Sequence, residues 1–312
     1  MDSVTFTLKP LPPFRLDLTV WVLRRRSDNL LDRWDGTTYQ RAVAMRDKVV
    51  IVAVHQTGTA ASPVLSVTLS APRLDAEITK DAAMMLERML GLRTDLSGFY
   101  DLAARDGRLH ELTDRFRGMK PSRFPTLFEG LANSIACQQL TLTFCIQLVN
   151  RLVSTFGPAL SPDAGAPHAF PRPEDMAELK PEAFRALGFS RRKGEVLIEL
   201  AQAILEGRLI PELLETLDNE TALRTLCAIR GIGRWSSEYL LLRTLGRTNV
   251  FPGDDVGAQK SLQLWLQLPK PPDYQGVCKL LARWQPYGGL IYFHLLLDRL
   301  AAVGLLPDDV TS

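Results

Sequence analysis

From Asp95 onward, apolar residues recur at the three-to-four-residue spacing of a helix almost without interruption. Each such segment has to bury one stripe of its surface, so a succession of them leaves room for little but a helical body. The spacing predicts helices over about 98–106, 108–117, 125–138, 140–156, 173–177, 181–187, 191–206, 211–216, 219–228, 233–244, 255–265, 273–283 and 286–303. The Pro/Ala/Gly-rich stretch Gly157–Pro173 has no such period and reads as a loop. Residues 1–75 read mostly as strands. Tyr39–Met45, Val49–Val54 and Val64–Leu69 are short β-rich runs, separated by turn material at 46–48 and 58–63, which makes antiparallel neighbours the natural outcome. Asp75 or Thr79 can cap a helix running to about Leu90. The expected fold class is therefore α+β. A small N-terminal antiparallel β-sheet domain with helices covers 1–95, and a mostly α-helical body of two subdomains covers 96–312.

At 312 residues and 46% hydrophobic content the composition is that of an ordinary globular chain. Val49–Val54 and the stretch around Leu290–Leu297 fall well short of a membrane span, and no charged segment followed by an apolar one opens the sequence. A cytoplasmic location follows, nucleoid-associated if the source is bacterial. Cys137, Cys145, Cys227 and Cys278 lie far apart without zinc-like spacing, and the four histidines are scattered. The expectation is free interior thiols and no metal cluster. The net charge of +2 gives nucleic-acid binding no support from the total. Basic runs at Arg24–Arg26, at Arg115, Arg117, Lys120 and Arg123, and at Arg191–Lys193 read as solvated surface. Any DNA footprint should be small, with a shallow salt dependence.

Chemistry concentrates in Leu226–Gln259, LCAIRGIGRWSSEYLLLRTLGRTNVFPGDDVGAQ. Ala228–Trp235 reads as helix end, tight turn and helix start. Gly231 and Gly233 lack a Cβ to block close approach, and the amides after them sit at a helix N-terminus suited to phosphate. An ordinary helix–helix connection has the same appearance. Trp235 and Tyr239, four residues apart, share one helix face and are as readily core as pocket. Phe251-Pro252-Gly253 ends one helix and launches another, and either Asp254 or Asp255 can cap the new one. Two adjacent carboxylates cannot both cap, which leaves the other available.

The block LCAIRGIGRWSSEYLLLRTLGRTNVFPGDD closely resembles the helix-hairpin-helix plus Gly/Pro…Asp motif of the DNA glycosylase superfamily, and within it the alkylation-repair branch, DNA-3-methyladenine glycosylase II. FEGLANSIACQQLTLTFCIQLVNRLVSTFG, FRALGFSRRKGEVLIEL and RWQP before a long final helix resemble that family's other segments in the same order, so the likeness covers about Phe124–Leu306. It implies that Gly231, Gly233 and Arg234 meet a DNA phosphate, and that Trp235 and Tyr239 line a pocket for a flipped base. Asp255, the last acid before the new helix, becomes the essential carboxylate. Leu296 stands where the bacterial pattern has a large aromatic, which implies a smaller, less aromatic pocket. Gln138, Gln139 and Leu140 lie at a helix junction, where Gln139 or Leu140 would be the wedge that fills the vacated stack, with Gln138 nearby; a plain polar junction is the alternative. Backbone carbonyls of Cys227, Ile229 and Gly231 match those that hold Na+ or K+ in the family.

The implied activity is monofunctional. Bifunctional members carry a nucleophilic lysine at the place of Trp235, and this chain also lacks the four-cysteine iron–sulfur cluster of other members. No cofactor is required. The substrate is double-stranded DNA containing alkylated purines such as 3-methyladenine, bound by a monomer with no membrane involved. A glycosylase for deaminated or oxidised bases and a non-catalytic helix-hairpin-helix DNA-binding protein are the alternatives.

Overall fold

The computed structural model describes residues 1–163 and 165–306; Ala164 of the expected loop and 307–312 of the expected helical body lie outside them. The chain runs β1 (Asp2–Leu8), α1 (Leu16–Arg24), β2 (Arg33–Trp34), β3 (Thr38–Met45), β4 (Lys48–Gln56), β5 (Leu65–Ala71) and α2 (Ala76–Met89). The strands form one antiparallel sheet in the order β1-β5-β4-β3-β2. Alternation sets its faces: Leu65, Val67, Leu69 and Ala71 of β5 are fully buried while the residues between them are half-buried. α2 starts where Asp75 accepts from the Ile78 amide and covers the sheet with Ile78, Ala82, Leu86 and Met89.

The remainder is helical: α3 (Ser97–Ala103), α4 (Gly107–Arg115), α5 (Leu127–Cys137), α6 (Leu142–Phe156), α7 (Pro173–Met176), α8 (Pro181–Ala186), α9 (Arg191–Leu205), α10 (Pro211–Thr216), α11 (Asn219–Cys227), α12 (Arg234–Arg243), α13 (Val256–Leu266), α14 (Tyr274–Leu281) and α15 (Gly288–Ala302). Every helix expected from the spacing is present within a few residues of its expected ends. Two apolar cores divide the body. One packs α5, α6, α9 and α11, and the other α3, α4, α13, α14 and α15, with α12 giving Leu240 and Leu241 to the first and Leu242 to the second.

Two expectations for the N-terminal part need correction. β1 and α1 were not foreseen among its strands. In α1, LDLTVWVLR is buried at all but one residue, and its β-branched Thr and Val look like strand. α1 packs on two sides: Leu16, Val20 and Leu23 join the sheet core, whereas Leu18, Trp21 and Val22 join the second helical core. Buried Arg41 on β3 adds a polar tie, bonding Asp32 at 2.8 Å and Glu129 on α5.

The basic runs and the cysteines also differ from expectation. Arg24 and Arg25 are buried rather than solvated: Arg24 donates to the Arg26, Ser27 and Trp34 carbonyls, and Arg25 to Tyr239 and Asn133. Lys120 is fully buried as well, its ammonium donating to the Thr94 carbonyl at 2.6 Å. Cys137 and Cys145 form a disulfide, since the tight turn from α5 to α6 folds the chain back and brings their Cα atoms to 4.8 Å. Cys227 and Cys278 are free but exposed. No described helix is long and apolar enough to cross a membrane.

Candidate active site

α11 and α12 pack as a hairpin whose turn is anchored by buried Leu226 and Ile232. Gly231 has φ +82°, and a Cβ there would lie 2.8 Å from Val196 Cγ2, so the turn needs glycine for backbone and packing alike. Gly233, the residue before α12, faces open space and is exposed. No side chain caps α12. Its first-turn amides have no partner inside the helix and point outward beside an exposed Arg234, an arrangement suited to an anion.

The segment after α12 brings the acids up to this hairpin. Glu238, buried on α12, accepts from the Gly253 amide at 2.9 Å and from the Tyr274 hydroxyl at 2.8 Å, fixing the loop. Its burial raises its pKa above the usual carboxylate range. Asp254 turns outward to Arg234 at 2.7 Å, and that guanidinium lies 3.7 Å over the Tyr274 ring. Asp255 turns inward. Its Oδ1 accepts from the Ala258 amide at 2.8 Å, while its Oδ2 accepts from Trp235 Nε1 at 3.2 Å and from the Tyr292 hydroxyl at 3.1 Å. Capping and lining the site are thus not alternatives for this residue. One oxygen starts α13 and the other faces the cleft. Among the described residues no Lys or Arg forms an ion pair with Asp255, and the guanidinium of Arg299 on α15 lines the same cleft nearby.

The cleft has a volume of about 790 Å³ and opens between the two helical cores. Trp235 and Tyr239 stack on each other at 5.4 Å with 24° between their planes, so an incoming ring meets the aromatic pair rather than entering between its members. Leu296 lines the same cleft from α15, one turn after Tyr292. Burial and the nearby Asp255 charge raise the pKa of Tyr292 far above the usual phenol value, which keeps its hydroxyl a donor. Buried Arg243 lies over the Phe124, Tyr239 and Phe293 rings.

Across the cleft, Gln138, Gln139 and Leu140 form the turn between α5 and α6. Gln138 Nε2 donates to the Gly231 carbonyl at 2.9 Å and to Ser236 Oγ at 3.1 Å, tying this turn to the hairpin. Gln139, with φ +56°, and Leu140 are exposed at its tip. Lys193 completes the wall, its ammonium donating to the carbonyls of Ala136 and Gln138, and burial pushes its pKa down to about 8.

The structure therefore brings Asp255, Trp235, Tyr239, Leu296, Gly231 and the 138–140 turn to one cleft, with Gly233 and Arg234 at its hairpin edge. The sequence reading missed Arg25, Lys193, Arg243 and Tyr292. Tyr292 had a signal, because it precedes Leu296 by four residues on the same helix face. Arg25 had none, since nothing in Arg24-Arg25-Arg26 distinguishes an inward guanidinium from a solvated one.

Residues 132–286 match the model of the HhH-GPD superfamily of base excision DNA repair proteins. A putative DNA-3-methyladenine glycosylase of Bacillus subtilis is 30% identical over 291 residues, covering 92% of this chain and 96% of the relative. The chain belongs to the HhH-GPD superfamily. Within this superfamily, DNA-3-methyladenine glycosylase 2 of Escherichia coli is 27% identical over 309 residues, 97% of this chain and 99% of that protein. The fold matches that of a 3-methyladenine DNA-glycosylase from Archaeoglobus fulgidus with a TM-score of 0.82, at 24% identity over 95% of this chain and 98% of that one. The HhH-GPD match ends before α15 and begins after α1, so Tyr292, Leu296 and Arg25 all lie outside it.

Proposed function

We propose that the protein is a monofunctional DNA glycosylase of base excision repair, releasing alkylated purines such as 3-methyladenine from double-stranded DNA and leaving an abasic site. The observation that carries this reading is Asp255, a carboxylate held by three donors, without a paired cation, beside an aromatic pair in a cleft wide enough for a base. As the C1′–N bond lengthens, positive charge grows on the sugar. The free charge of Asp255 stabilises that cation and orients water toward C1′. An alkylated purine already carries positive charge and leaves as a neutral base, so bond cleavage needs little acid help. Trp235 and Tyr239 offer π-faces to such a base.

In the same reading the amides after Gly233, with Arg234, hold a backbone phosphate, and the exposed tip at Gln139 and Leu140 fills the gap left by the flipped nucleotide. Trp235 has no amine to attack C1′, so strand cleavage is not expected. The Gly231 carbonyl accepts from Gln138 Nε2 and the Ile229 carbonyl from the Ile232 amide; each oxygen has a second lone pair, so with Cys227 they fit a Na+ or K+ at the hairpin. The test is a panel of duplexes, each with one defined lesion, scored for base release with and without subsequent alkaline strand scission. Release of no alkylated base, or scission without alkali, would sink the proposal.

A further inference from the structure

Arg25 reaches the floor of the cleft from the end of α1, outside the segment that matches the family. It is 5% exposed. Its NH1 donates to the Tyr239 hydroxyl at 3.0 Å and its NH2 to Asn133 Oδ1 at 2.9 Å. Its Nε is buried without a partner, and among the described residues no carboxylate forms an ion pair with it. Glu129, whose carboxyl the Arg25 charge influences, is already bonded to Arg41. A guanidinium carries five N–H donors and no acceptor; NH1 also lies 4.0 Å from Cys137 Sγ, which leaves one NH2 hydrogen without a partner. Arg25 also dictates what Tyr239 can do. A phenol has one proton to give, and here its oxygen accepts from Arg25 while no described residue accepts that proton. The proton is therefore directed to the cleft.

We propose that Arg25 is a specificity-determining residue: it holds the Tyr239 hydroxyl as a donor and makes the cleft floor a donor-only surface that selects bases presenting a hydrogen-bond acceptor. This rests on the glycosylase reading above. A purine with a carbonyl at C6 offers such an acceptor. One with an amino group at C6 sets donor against donor there and loses the interaction. The floor also acts on the departing group. When a neutral purine leaves, the C1′–N9 bond breaks and its electron pair passes to the base. Charge then develops on the acceptor edge, where Arg25 and Tyr239 stabilise it. Water adds to C1′, and the proton it releases is balanced by protonation of the expelled base. A cationic alkylpurine leaves neutral and gains nothing from this.

Single-turnover release of hypoxanthine, neutral and 6-oxo, is compared with release of 3-methyladenine, cationic and 6-amino, in the same duplex sequence. Arg25→Met should lower hypoxanthine release on the order of tenfold or more, the scale set by losing a hydrogen bond to a charged group. Release of 3-methyladenine should fall by less than that of hypoxanthine, so the ratio of the two rates drops. Arg25→Lys should restore part of the difference. Tyr239→Phe, which leaves the end of α1 intact, should lower the hypoxanthine-to-3-methyladenine ratio in the same direction, so a poorly folding Arg25→Met does not end the test. An unchanged ratio in these variants, or a wild-type protein that releases 3-methyladenine but no hypoxanthine, overturns the inference. A wild type that releases neither overturns the glycosylase reading instead.

Discussion

Replacing Asp255 by asparagine separates the charge of this residue from its hydrogen bonds. Oδ1 caps α13 at 2.8 Å from the Ala258 amide, and Oδ2 faces two donors at 3.1 and 3.2 Å. An asparagine that keeps its oxygen as the cap turns its NH2 toward the indole N–H of Trp235, donor against donor; Tyr292 can rotate its hydroxyl to accept. One bond is lost, so stability should fall by about 1–2 kcal/mol, a shift of a few degrees in Tm. The chemical effect is larger. A carboxylate about 4 Å from the sugar cation, at an effective dielectric near 20, contributes about 4 kcal/mol. That corresponds to a rate factor of about 10³. Base release in single turnover should therefore drop by about that factor. Affinity for a duplex carrying a neutral abasic mimic should hold within roughly threefold, because the electrostatic contribution needs a cation at C1′. Affinity for a cationic pyrrolidine mimic should fall sharply. A variant releasing bases within tenfold of the parent rate, or losing both mimics equally, would refute the assignment.

Three further outcomes follow from other parts of the molecule. His294 is fully buried with Nδ1 against the Leu290 carbonyl and no partner for Nε2, and burial pushes its pKa down to about 4. The unfolded chain takes up this proton near pH 6.5 and the native one does not, so stability should fall as pH drops from about 6.5 to about 4, by up to about 3 kcal/mol; thermal melts of His294→Leu over that range should show a flatter profile. Below its pKa of about 8 Lys193 presents an ammonium at the cleft wall, so DNA affinity measured by anisotropy should weaken as pH rises through about 8, with the inflection gone in Lys193→Met. Gly231→Ala should destabilise the hairpin by roughly 1–2 kcal/mol through its left-handed backbone and Val196, whereas Gly233→Leu should leave the melting temperature nearly unchanged and weaken DNA binding.

What was legible in the sequence tracks what leaves a periodic or local signal. α2 announces itself because Ile78, Ala82, Leu86 and Met89 form one buried stripe behind an Asp75 cap. α1 stays hidden because it is short and its Thr and Val carry strand preference. The hairpin, Asp255 and the aromatic pair sit within one continuous stretch, so motif spacing finds them. Asp255 also shows the limit of reasoning by exclusion: a carboxylate has two oxygens, and assigning it as a cap does not remove it from the site. Arg25 and the Cys137–Cys145 bridge depend on where distant segments fold, which local spacing does not encode.

The bond from Arg25 to Tyr239 spans 214 positions, joining the end of the sheet domain's helix to the middle of the hairpin's second helix. Tyr292 and Leu296 arrive at the same cleft from the opposite end of the chain. The stretch that carries Asp255 and the hairpin is thus flanked by two segments that shape the cavity wall, one of which, through Tyr292, also holds Asp255. On the proposal above, substitutions at Arg25 and Leu296, which do not bond Asp255, change which lesion is accepted while the hairpin and the acid stay as they are.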